Sequence, residues 1–451
     1  MLNVKPSRRA WRTWAWGALW LAGCATAPVK PAAEPASNPS AAPVAQQVSR
    51  PALTPVPVVV APPVPLPAAP VLGAVTFVAT GDIMAHGAVK EAALAADGGW
   101  DALLAPVAPI VGPADVAFGN LETPVAPDHD HGSRSFVFNA PPAMLTALKK
   151  VGFDVVLFAN NHVYDQGRDG FTESLPRIAA SGLKEVGAGA TRAAAEAPLM
   201  LTVHGVKLAW FGAAQFFNDP KNVDDPTQPY ANLLDPKALA AAIEAVRPKV
   251  DAVLVSVHWG VEYMQAPRQS EVEIAHQLFE AGADVIIGSH PHVLQPMEVY
   301  RANDGRTCLC MYSLGNFISN QSRKYVAHVQ SDKTGDPRDA VFVRFTLEKR
   351  DYGQGGTAVD VANVSMVPLW TANNFYRPKH TPPDIHPEVI DTALARDAAE
   401  LKALQAAPGE PSKQTRARIV ALKREVSLLT LRRARIVSRL GEDFATSPGG
   451  D

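Results

Sequence analysis

Apolar, β-branched runs recur along the chain, with helical patterns between them. Their period predicts strands at residues 75–80, 115–118, 155–159, 207–212, 252–257, 285–287 and 308–313. Helices are expected at 142–150, 170–180, 236–245 and 269–281. Such alternation predicts an α/β architecture with a largely buried sheet. Residues 340–347 and 364–369 read as added strands.

Five of these runs end in polar residues. Strand 75–80 leads into Gly81-Asp82-Ile83-Met84-Ala85-His86, and 115–118 into Gly119-Asn120-Leu121-Glu122. Strand 155–159 leads into Asn160-Asn161-His162-Val163-Tyr164-Asp165. Strand 252–257 leads into His258-Trp259-Gly260-Val261-Glu262, and 285–287 into Gly288-Ser289-His290-Pro291-His292. A parallel sheet gathers its carboxyl ends on one rim, so these groups are expected to converge. Neutral imidazole is the commonest metal ligand, and two histidines at i, i+2 past a strand can turn toward one point. Oxygen and nitrogen donors without a thiolate suit Mn, Fe or Zn and disfavour copper(I) or iron–sulfur clusters. A carboxylate able to bridge two ions, with several histidines, can hold a pair roughly 3.5–4 Å apart. Such a pair lowers the pKa of a bridging water and clamps an anionic transition state.

Taken in order, these motifs resemble the CapA family of poly-γ-glutamate and capsule synthesis proteins. Ser313-Leu314-Gly315-Asn316-Phe317 matches the same family. The resemblance spans residues 75–319. It implies the calcineurin-like metallophosphoesterase fold, a sandwich of central β-sheets flanked by helices, with two divalent metal ions. It assigns Asp82 and His292 to one metal and Asn161, His258 and His290 to the other, with Glu122 as the bridging carboxylate. His162 becomes a general acid or an oxyanion contact whose ring Asp165 orients. The alternative for His162 is a structural hydrogen bond at a strand exit.

Two positions depart from the wider phosphoesterase pattern. Its Asp-x-His reads Asp82-Ile83-Met84 here, so a standard nitrogen ligand is missing. His86 replaces it only if the loop allows an i, i+4 reach. The bridging position is Glu122 where Asp is usual. Both changes belong to the CapA branch, and both weaken the inference to phosphate-ester hydrolysis. Glu262, Arg134 and Arg168 are candidate substrate contacts, or else ordinary surface charges. The tract Asp128-His129-Asp130-His131 sits in a Pro- and Gly-flanked loop and reads as solvated.

The chain's ends add a location. Lys5, Arg8, Arg9 and Arg12 precede a short apolar run, 14–21, that closes in Leu21-Ala22-Gly23-Cys24. A membrane span needs roughly 20 apolar residues, so this run reads as a signal peptide, 1–24. Its end resembles a bacterial lipobox, which implies cleavage before Cys24 and lipidation of the thiol. Ser7-Arg8-Arg9-Ala10-Trp11 also resembles a twin-arginine export motif. Ala25 after the cysteine, in place of Asp, implies the outer membrane facing the periplasm. Residues 25–73 hold many of the chain's 40 prolines and are expected to be a disordered tether. The folded domain is expected over 74–380 and a basic helical tail over 381–451, split into two helices at 408–411. The second tail helix carries Arg416, Arg418, Arg432, Arg433, Arg435 and Arg439 beside an apolar stripe. That stripe suits packing onto the domain or a partner, and the basic face is either solvated or drawn to anionic lipid or polymer. Cys308 and Cys310 share a strand face and are expected as free, buried thiols.

A net charge of −2 argues against a general nucleic-acid binder. The expected function is an exported, lipid-anchored, metal-dependent hydrolase of a phosphoester or amide. It would act on an anionic envelope or capsule polymer, alongside capsule or polyglutamate synthesis proteins. The alternative is a non-catalytic polymer-binding or export factor. A plain secreted phosphodiesterase would carry intact Asp-x-His and Gly-Asn-His-Asp motifs, and the chain has neither.

Overall fold

The computed structural model describes residues 69–132 and 136–444. The leader with Cys24, the tether up to residue 68, and Arg134 lie outside the described residues. The strands of the first half are β1 (Val71–Ile83), β2 (Val116–Leu121), β3 (Val155–Leu157), β4 (Lys184–Val186), β5 (Leu199–Val203), β6 (Val206–Ala214) and β7 (Ala252–His258). Those of the second are β8 (Val285–Ser289), β9 (Met297–Arg301), β10 (Thr307–Met311), β11 (Asn316–Ile318), β12 (Asp339–Asp351), β13 (Thr357–Asn373) and β14 (Ile385–Val389). The principal helices are α1 (Gly87–Ala95), α2 (Pro142–Val151), α3 (Gly167–Ala180), α4 (Pro236–Val246), α5 (Gln269–Ala281), α6 (Ile390–Ala406) and α7 (Lys413–Leu440).

One sheet has the order β14-β13-β12-β1-β2-β3-β4, with β11 laid parallel to the end of β1. The other has the order β9-β10-β8-β7-β6-β5. Strands β1 to β4 are parallel, as are β6, β7, β8 and β10, so both sheets send carboxyl ends to a rim.

Side-chain alternation explains the layers. Val75, Phe77 and Ala79 of β1 share a core with Leu208, Trp210, Leu254 and Ile287 of the other sheet. Val78, between them, joins Leu145 and Leu148 of α2 and Phe171 and Ile178 of α3. The second sheet's outer face, through Val253, Val255 and Val257, is covered by Leu239 and Ile243 of α4 and Leu278 and Phe279 of α5. The result is a helix–sheet–sheet–helix sandwich, and each fully buried side chain of this size contributes roughly 1.5–3 kcal/mol. Local signals set the helix ends. α2 starts on Pro142 and stops at Gly152, whose φ of 119° suits a residue without Cβ. α4 is capped by Asp235, which accepts from the Lys237 and Ala238 N–H groups.

The tail completes the domain. Leu429, Ile436 and Leu440 of α7 and Ile390 and Ala393 of α6 enter the core between the sheets. The basic face is largely consumed within the molecule: Arg418 pairs with Glu400, Arg433 with Asp391, Arg435 with Asp336, and buried Arg432 with Asp339 and Asp336. The sheet also runs past the expected boundary at 380, because β14 pairs with β13, and it begins at Val71. Cys308 and Cys310 are free and buried. Among the described residues no helix is long and apolar enough to cross a membrane.

Candidate metal centre

Strand register builds the rim. The pairing of β1 with β2 sets Asp82 beside Asn120, and that of β7 with β8 sets His258 beside Ser289. Asn161 and His162 follow β3. Two clusters result, each with ligand atoms within 4.8 Å of one another: Glu122 with His258 and His290, and Asp82 with Glu122 and His292. Glu122 belongs to both. Its Oε1 lies 3.8 Å from His258 Nε2, 3.8 Å from His292 Nε2 and 4.0 Å from His162 Nε2. That oxygen is buried without a hydrogen-bond partner.

The remaining donors close around these atoms. Asn161 Oδ1 and His290 Nδ1 lie 2.9 and 3.1 Å from His258 Nε2. Asp82 Oδ2 lies 3.0 Å from His292 Nδ1. His162 Nδ1 lies 2.9 Å from Asp165 Oδ2, which also accepts the Phe138 N–H at 2.6 Å. His290 and His292 sit at φ of 99° and 58°, the left-handed region. For side chains of this size that conformation costs on the order of 1–3 kcal/mol each. Gly288 lets the turn pass close to its neighbours: a Cβ there would fall 2.1 Å from the Tyr312 carbonyl oxygen and 2.7 Å from Trp259 Nε1.

Burial, and then the neighbouring Asp82 carboxylate, raises Glu122 well above the ordinary carboxylate range. Burial, and then His290 and His292, holds His258 well below its usual value, and burial with His292 pushes His290 down to about 3. Both rings are therefore neutral near pH 7, with lone pairs to offer. An orphaned carboxylate oxygen amid uncharged imidazoles and an amide oxygen is a donor set that fits divalent cations of the Mn, Fe or Zn class.

His86 stands outside both clusters. Its Nδ1 accepts the Asn320 N–H at 3.3 Å, and Met84 is buried. Glu262 is exposed on the loop after β7, near enough for its charge to raise Glu122 further. Arg168, in the first turn of α3, reaches Gln228 Oε1 at 3.4 Å. Asp128 and His129 pair with Arg177 and Glu173 on the surface.

Two asparagines missing from the expected site organise it. Asn120 Nδ2 donates to Asp82 Oδ1 at 2.8 Å and to Glu122 Oε2 at 3.3 Å. Its i, i+2 spacing from Glu122 is the signal in the sequence. Asn316, in register with Asp82, donates to the Pro337 carbonyl at 2.8 Å and the His292 carbonyl at 3.3 Å. Only the register of β11 on β1 shows that.

Residues 76–321 match the family described as bacterial capsule synthesis protein PGA_cap. The PGA biosynthesis protein CapA of Bacillus subtilis (strain 168) is 30% identical over 297 residues, covering 64% of this chain and 72% of that protein. The capsule biosynthesis protein CapA of Bacillus anthracis is 32% identical over 254 residues, covering 54% of this chain and 60% of that protein. The solved NAD nucleotidase of Haemophilus influenzae is 11% identical, covering 79% of this chain and 68% of its own, with a TM-score of 0.39. That likeness is too loose to bear on chemistry. Matched over more than half of its length, this chain belongs to the PGA_cap family of bacterial capsule synthesis proteins.

Proposed function

We propose that this protein is a metal-dependent hydrolase acting in the synthesis or export of an anionic capsule or poly-γ-glutamate-type polymer. One observation carries the proposal: the buried, partnerless Oε1 of Glu122 stands between two ligand clusters. Asp82, Glu122 and His292 would hold one divalent ion, and Glu122, Asn161, His258 and His290 a second. Bound there, such a pair supplies an activated water and positive charge for an anionic transition state. The names of the Bacillus relatives support the polymer.

The chain's own residues do the rest. Asn120 fixes both carboxylates by donating to each. Asp165 holds His162 at Nδ1, which leaves Nε2 facing the rim, where it gives a proton to the leaving group. Phe138 lies against the His162 ring at 4.5 Å and keeps that side dry. His162→Ala should retain the metal of the wild type yet lower hydrolysis of a γ-glutamyl polymer roughly 100-fold or more. Metal analysis paired with turnover checks this. Wild type that stays metal-free after reconstitution with Mn or Zn would end the hydrolase reading.

The second reading, a non-catalytic polymer-binding or export factor, has its own support. Met84 is buried where a nitrogen ligand is usual, and His86 is engaged by Asn320, which leaves the Asp82 cluster with three protein ligands. On that reading His162→Ala leaves polymer output in cells unchanged.

We further infer export, with lipidation at Cys24 anchoring the chain to the outer membrane. Mass spectrometry of the mature protein should find its N-terminal residue to be a lipidated Cys24, and a mature chain that starts elsewhere or carries a free Cys24 thiol would refute the anchor.

A further inference from the structure

Beside the rim opens a cavity of about 930 Å³. Three of its lining residues tie it to the candidate metal centre. Tyr263 has its ring 6.1 Å from that of His292, and Val293 follows His292 in the chain. The ring of His86 lies 4.8 Å from Phe138, which in turn lies 4.5 Å from His162. The cavity thus adjoins the candidate metal centre.

Its other lining is cationic. Arg323, Lys324 and Lys333 are exposed into it. Among the described residues no carboxylate pairs with any of the three, and Arg323 only rests over the Phe375 ring at 5.4 Å. The one acid of the lining, Asp336, is already neutralised by Arg432 and Arg435 and accepts from Gln265 as well. Two anchors hold the segment that carries Arg323 and Lys324. The Asn320 N–H donates to His86, and Asn316 Nδ2 donates to Gln321 Oε1 at 3.0 Å. Asn316 is the residue in register with Asp82, so the cations are set at a defined offset from the rim.

We propose that this cavity is the polymer-binding subsite, and that Arg323, Lys324 and Lys333 read successive carboxylates of an amide-linked polyacid. The inference rests on the function proposed above for the polymer's role, though not on catalysis. A polyacid fits better than a polyphosphate for two reasons. Arg323 and Lys324 are side-chain charges on a turn, and Lys333 sits in a 3-10 segment of seven residues, 332–338, too short to make the helix N-terminal site that phosphate groups favour. Phe136, Tyr263, Val293 and Pro337 line the space between as apolar surface, which suits methylenes spaced between charges.

The test uses full-length, Mn-loaded protein and a dye-labelled γ-linked glutamate decamer, read by fluorescence anisotropy. Lys324→Glu/Lys333→Glu should weaken decamer binding by roughly tenfold or more and flatten its salt dependence. Arg323→Gln should act in the same direction. Bound metal and far-ultraviolet circular dichroism should stay at wild-type values, which separates the subsite from the metal centre and from folding. Unchanged decamer affinity in the charge-reversed protein overturns the proposal. So does wild type that fails to bind the decamer at low salt, or that binds long-chain polyphosphate more tightly. Loss of metal or turnover in wild type would strike the hydrolase reading instead and leave the binding result standing.

Discussion

Glu122→Gln is expected to do two opposite things: abolish stabilisation by metal, and make the metal-free protein more stable than metal-free wild type. The wild-type carboxylate is fully buried, and burial followed by the adjacent Asp82 opposes its ionisation. Without a cation, the two acids share a dry site in which Asn120 donates to each but Glu122 Oε1 has no partner, and that is a cost. Glutamine keeps the shape and removes the charge. Unfolding in chelator should therefore need more denaturant for the variant, by about 1–3 kcal/mol. In wild type, saturating Mn or Zn should add about 2.7 kcal/mol at 100 times its dissociation constant. In the variant the increment should nearly vanish, and turnover should fall more than about 100-fold, since outer-shell changes alone reach that size. Equal metal-induced shifts in both proteins would show that Glu122 is not shared between two ions.

The parts of this site legible in the sequence are those set by local pattern. The apolar, β-branched run at residues 75–79 identifies a buried strand, and the polar residues after it then belong to a sheet edge. Asp82, Glu122, Asn161, His258, His290 and His292 are identifiable on that ground and by resemblance, and the fold brings them together. Features that depend on long-range pairing are not visible there. Asn316 matters through its register with Asp82, far away in sequence. β14 contains His386 and Pro387, which break any local strand pattern, and it exists because β13 offers an edge. Of the cavity cations, Arg323 and Lys324 lie in a turn and Lys333 in a short 3-10 segment, where no periodic pattern marks them. Arg432 reads as one more charge on a basic helix, since nothing in residues 413–440 announces the aspartates that wait for it at 336 and 339.

That arginine carries the largest expected effect on stability. Arg432→Met should cost about 3–5 kcal/mol, the range for removing one partner of a buried ion pair. The side chain is fully buried, with Nε 2.7 Å from Asp339 Oδ1, Nη2 2.8 Å from Asp336 Oδ1 and Nη1 2.9 Å from the Asp332 carbonyl. Its guanidinium also lies 5.3 Å from the Trp370 ring centroid and 5.5 Å from that of Tyr325. Methionine fills much of the volume but answers no carboxylate. Asp336 keeps Arg435, whereas Asp339 loses its direct partner. The loss should depend on pH with a definite sign. Burial pushes Asp339 up to about 7 even though Arg432 pulls it down. The native state thus holds a proton that the unfolded chain releases near its ordinary value of about 4, so this group's contribution to stability falls as pH rises between those values. Without Arg432 the carboxyl keeps its proton to still higher pH, and the window extends upward. Urea unfolding should therefore show a larger deficit at pH 8 than at pH 5. Adding Asp339→Asn should recover much of it, because a neutral amide no longer needs the missing cation. A deficit under about 1 kcal/mol at pH 8 would mean that water or Arg338 already serves Asp339, and that α7 is held by its apolar stripe of Leu429, Ile436 and Leu440.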